Sequence, residues 1–175
     1  MLWIISFGVC EDCQVQQFGQ PASYCRRSVI LEKSIDPSEG EIIEMTIFET
    51  KHLPTESQAV APDGSDVRIL LGLKAGGMAH FELGPGQTSR AVTHRTVEEI
   101  WYFVSGRGQV WRRKDDQAAV IDVYPGVCLT IPLGTHFQLR SFGDEPLGAI
   151  GVTMPPWPGD GEAVLVSGEW EPTIS

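Results

Sequence analysis

Residues 99–104 alternate strictly, with Glu99, Trp101 and Phe103 on one side and Ile100, Tyr102 and Val104 on the other. A period of two is the repeat of a β-strand, so this strand has one face of aromatic residues and an acid. The same reading predicts strands at 41–49, 67–73, 78–83, 90–94, 108–113, 118–123, 127–131, 137–141 and 149–153. Ser105-Gly106-Arg107-Gly108 reads as a hairpin turn joining 99–104 to 108–113. Asp115-Asp116 and Tyr124-Pro125-Gly126 turn the chain twice more. No stretch keeps a helical period. Short strands at intervals of about ten residues, with Gly or Pro at nearly every turn, predict an all-β sandwich or barrel.

Composition sharpens this picture in three places. Nineteen glycines and twelve prolines in 175 residues fit a turn-rich β fold, and a hydrophobic content of 42% supports one core. The net charge of −10 argues against a nucleic-acid backbone or an anionic membrane surface as partner. No apolar run reaches the length of a membrane span, and the start carries no positive n-region, which together predict a cytoplasmic protein. Cys10 and Cys13 form a CxxC, with Cys25 and Cys128 elsewhere, but nothing completes a structural zinc set, and ordinary thiols are the expectation. Residues 1–44 lack the regular pattern and read as an N-terminal extension or arm, with residues 28–33 as a short edge strand and Met45 as an alternative start. Residues 45–160 read as the barrel, and 161–175 as an extended tail.

The chemistry concentrates in two stretches. An acid on an aromatic strand face is costly to bury without a partner, so Glu99 calls for a metal or a cationic group. His94 lies just upstream, and His136 follows a Pro-x-Gly turn. Gly86, Val92, His94, Glu99 and Gly106 reproduce the spacing G-x5-H-x-H, x4, E-x6-G, with Val92 at the first histidine. Gly126, Pro132, Gly134, His136 and Arg140 follow G-x5-P-x-G-x2-H-x3-N with one residue deleted, Arg140 standing at the asparagine. In these two motifs the chain resembles the cupin family, with the likeness extending over residues 45–160.

That resemblance implies a double-stranded β-helix whose cavity holds a divalent metal, Fe, Mn, Ni or Zn, on His94, Glu99 and His136. It also implies a homodimer and a small-molecule ligand, in an oxygenase, isomerase or lyase or in a metal-free binding or sensor module. Two imidazoles and a carboxylate suit such a metal and leave positions open. With Val92 replacing one ligand, the opposite expectation is a barrel without metal, in which both histidines are satisfied by hydrogen bonds. Arg140, and Arg90 with it, would clamp a carboxylate or phosphate if they face the cavity, or pair with an acid and close it. Gln138, Trp101 and Phe103 complete the expected substrate wall. Glu98 is out of phase and expected in solvent. His80 is an alternative ligand only if its strand face points inward.

Overall fold

The computed structural model describes residues 48–174. The expected N-terminal arm, its edge strand and three of the four cysteines lie outside the described residues, as does most of the strand expected at 41–49. Eleven strands are present among the described residues: β1 (Ala59–Val60), β2 (Asp66–Leu73), β3 (Gly76–Leu83), β4 (Val92–His94), β5 (Glu98–Ser105), β6 (Arg107–Lys114), β7 (Gln117–Val123), β8 (Cys128–Ile131), β9 (His136–Phe142), β10 (Leu147–Met154) and β11 (Ala163–Leu165). No helix is found among them, and none is long and apolar enough to cross a membrane.

The strands form two antiparallel sheets, ordered β1-β2-β3-β10-β5-β8 and β11-β4-β9-β6-β7. Their inner faces pack together as a jelly-roll barrel. In β5 the alternation is complete: Glu99, Trp101 and Phe103 are buried, while Glu98, Ile100, Tyr102 and Val104 are exposed. Lys114 pairs with Gln117 across the expected Asp115-Asp116 turn, where Asp115 takes a positive φ of 51°.

The hairpin expected between β5 and β6 does not form. β5 pairs with β10 and β8, whereas β6 pairs with β7 and β9 in the other sheet. Gly106, at φ 68°, is where the chain crosses between sheets, and a Cβ there would collide with the Pro146 carbonyl. Only glycine meets both demands.

The barrel is filled at one end and open at the other. Phe103, Val110, Leu139 and Leu147 are buried in the hydrophobic core and lie away from the cavity wall. The tail is bound along the second sheet: β11 pairs with β4, the Val166 N–H donates to Ala91, and the Thr173 N–H donates to Thr88. The segment expected as an extended tail therefore contributes a strand.

Candidate functional site

At the open end lies a cavity of about 500 Å³, within the range of small-molecule pockets. Four rings face it: Phe81 from β3, Trp101 from β5, Phe137 from β9 and Trp157 from the loop after β10. Phe81 and Trp101 stack at 5.6 Å and 11°, and Phe137 stands edge-on to Trp101 at 5.6 Å. The stack exists because Gly151 leaves room for it: a Cβ there would lie 2.6 Å from Phe81 and 3.3 Å from the Trp101 nitrogen. Val67, Ile69 and Leu71 of β2 extend the apolar wall.

The polar part of the wall is built by β4 and β5. Strand parity turns Glu99 inward with Trp101, and Trp101 Nε1–H donates to Glu99 Oε2 at 2.8 Å. No other hydrogen bond reaches this carboxylate among the described residues, which leaves Oε1 free. Burial pushes the Glu99 carboxyl up to about 7, with the Trp101 bond opposing and the Asp63 charge assisting. His94 is 7% exposed, and its Nδ1 lies 3.9 Å from Glu99 Oε2, beyond hydrogen-bond reach, with no partner among the described residues. Burial holds this imidazole down to about 4, against the opposing pull of Glu162. At neutral pH His94 is therefore uncharged, and the two groups do not form an ion pair.

Trp157 stands edge-on to His94 at 5.3 Å, and Phe137 does so at 5.2 Å. Its loop, residues 155–161, is fastened by Glu162. That carboxylate accepts from Thr96 N–H at 2.6 Å, Val97 N–H at 2.8 Å and Thr96 Oγ1 at 2.8 Å. These bonds hold its pKa below the usual range, against burial.

His136 does not join His94 and Glu99. In β9 the neighbour that faces the cavity is Phe137, so His136 faces outward, where Arg113 lies 3.1 Å from its Nδ1. One residue of register separates the two faces of a strand. Gln138 and Arg140 share the parity of His136 and also leave the cavity. Gln138 is fully buried, donating to the Ser89 and Trp170 carbonyls and accepting from Trp170 N–H. Arg140 donates to Gln109 at 3.0 Å and lies over the Trp170 ring at 4.2 Å. Both side chains anchor the C-terminal segment. Arg90 is off the cavity wall, with its N–H on the Asp63 carbonyl and its charge opposing the burial of the Asp63 carboxyl. Phe103 is core, Trp101 is wall, and Glu98 is exposed. His80 sits on the face of β3 opposite Phe81 and is not on the wall.

The cavity residues do not fit a divalent metal. Val92 and Phe137 are on the wall where imidazoles would be needed. No group of three His, Cys, Asp or Glu able to hold a metal exists among the described residues. Asp63 reaches the wall, but its two oxygens accept from Ser65 N–H and Ser65 Oγ, each at 2.9 Å. A two-donor set falls short of the three protein ligands typical of open catalytic sites. Sequence reasoning missed Phe81, Asp63, Trp157 and Glu162. For Phe137 a signal was present, because counting x2 without the deletion from Gly134 lands on it.

No family model and no curated protein matches the chain. Solved structures do. Oxalate decarboxylase of Bacillus subtilis, a protein with Mn(II) centres, aligns at a TM-score of 0.54 and 19% identity, over 63% of this chain and 30% of that one. CapF, the capsular polysaccharide assembling protein of Staphylococcus aureus, aligns at 0.50 and 19%, over 62% and 33%. A CapF structure with the inhibitor 3-isopropenyl-tropolone aligns at 0.52 and 20%, over 61% and 32%. The chain has the cupin fold. It spans about a third of the length of these proteins, and the likeness is one of architecture.

Proposed function

We propose that this cupin barrel is a metal-independent binding module for a small, largely apolar molecule. The reading is carried by one observation: the cavity wall is aromatic and aliphatic, with Val92 and Phe137 on it, and among the described residues no group of three metal-ligating side chains converges there. A ligand buries its apolar body against Phe81, Trp101, Phe137 and Trp157, and Glu99 and His94 fix its polar end. Burial of a ring-sized group on such a wall contributes about 2–3 kcal/mol, to which the polar end must add.

Titration of the full chain with 2-phenylethanol, followed by tryptophan fluorescence, tests this directly, because two of the four rings are tryptophans. Saturable binding that is unchanged by EDTA and abolished by Ala79→Phe, which fills the cavity from β3, is expected. Binding that survives Ala79→Phe, or that requires added metal, contradicts the proposal.

A further inference from the structure

The charge on the cavity wall narrows the class of ligand. Among the described residues three carboxylates reach it, Asp63, Glu99 and Asp160, and neither lysine nor arginine does. Of the two arginines expected to receive an anion, Arg140 is engaged on Gln109 and Trp170, and Arg90 is off the wall. A carboxylate or phosphate ligand would therefore enter a low-dielectric space beside like charges with no cation to meet it.

Two polar atoms on the wall are free among the described residues. Glu99 is 3% exposed, and its single hydrogen bond uses Oε2, which leaves Oε1 as an acceptor. His94 is 7% exposed, and its Nδ1 has no partner among the described residues, although it is on the wall 3.9 Å from Glu99. Trp101 Nε1–H, the nearest donor, is already committed to Glu99. Buried polar groups are ordinarily paired, and with His94 in its Nε2–H tautomer these two adjacent atoms are acceptors that define a place for a donor. Around that place stand the faces and edges of Trp101, Trp157 and Phe137. A buried carboxylate within an aromatic enclosure is the chemistry that recognises an organic ammonium: the carboxylate neutralises it and the rings stabilise it through their quadrupoles.

We infer that the ligand is a small hydrophobic amine, bound as its ammonium ion with N–H groups donated to Glu99 Oε1 and His94 Nδ1 and its apolar body along the cavity. This rests on the cavity being a ligand site, and a neutral probe of the same shape separates the two claims. An alcohol also brings a donor, but it leaves the buried carboxylate charge without a counter-charge.

Isothermal titration of the full chain at about pH 8 with 2-phenylethylamine, 2-phenylethanol and phenylacetate decides the matter. The amine should bind at least roughly tenfold more tightly than the alcohol, the scale of one hydrogen bond to a charged group, and phenylacetate should not bind. Glu99→Gln should remove the amine's advantage and bring its affinity to that of the alcohol on the same variant. Equal or tighter binding of the alcohol, or any binding of phenylacetate, overturns the amine assignment while the cavity reading stands. Binding of none of the three overturns both. The comparison among ligands on the wild-type chain is decisive even if Glu99→Gln folds poorly.

Discussion

Replacing Glu99 by glutamine should stabilise the protein, and do so increasingly as pH rises. The Glu99 carboxyl is pushed up to about 7 from its usual 4.5, because burial disfavours its charged form more than the Trp101 bond favours it. A carboxyl whose folded pKa is raised binds more protons folded than unfolded, so its stabilising contribution is present below the unfolded value and is lost as pH climbs through the folded one. The span between the two values corresponds to about 3 kcal/mol, most of it falling between pH 5 and pH 8. Glutamine keeps an acceptor for Trp101 Nε1–H and carries no charge to desolvate. His94 works in the opposite sense. Held down to about 4 from 6.5, it adds stability as pH rises through that window, so in the wild type the two slopes offset each other up to about pH 6.5. Urea unfolding of wild type and Glu99→Gln at a series of pH values separates them. The advantage of the variant should grow by about 2 kcal/mol from pH 5 to pH 8. A difference that stays constant with pH, or a variant less stable at pH 8, would refute the reasoning, because Glu99 would then not be a desolvated carboxyl.

Further outcomes follow from the same geometry. His136→Ala should leave probe binding unchanged and cost less than about 1 kcal/mol, since that imidazole lies outside the barrel with Arg113 as its neighbour. Val92→His with Phe137→His should create metal uptake that the wild type lacks, measurable by equilibrium dialysis against Zn(II), because both positions line the cavity with His94 and Glu99. Glu162→Ala should destabilise by about 2–4 kcal/mol in urea unfolding, as it leaves the Thr96 and Val97 N–H groups without their charged acceptor. Amine affinity should fall as pH drops below about 7, where Glu99 takes a proton beside Asp63 while His94 stays neutral; calorimetry across that range reads it directly.

Local pattern carried most of the fold. The alternation of residues 99–104 is an account of which side chains meet the core, and β5 obeys it residue by residue. The assignment of strands to sheets is a different kind of fact. Ser105-Gly106 has the composition of a hairpin turn, yet β5 and β6 part there because each finds its partners, β10 and β9, more than forty and about thirty residues away. The site was half legible. His94 and Glu99 come together because both are held by strand parity on adjacent inner faces. His136 failed on one residue of register: the missing residue can be placed on either side of the histidine, and the strand that forms turns Phe137 inward. With it went Gln138 and Arg140, and so the expectation of an anion. The fastening of residues 155–161 by Glu162 joins positions 66 apart in sequence, and no local signal marks it.

The most direct test of the central claim is the metal content of the full chain, purified without a histidine tag, then incubated with Mn(II), Fe(II) and Zn(II) in turn and desalted. Inductively coupled plasma mass spectrometry should find far less than one equivalent of each, while 2-phenylethanol still binds. A near-stoichiometric metal that disappears in His94→Ala would contradict the account, and would return Glu99 and His94 to the role of ligands.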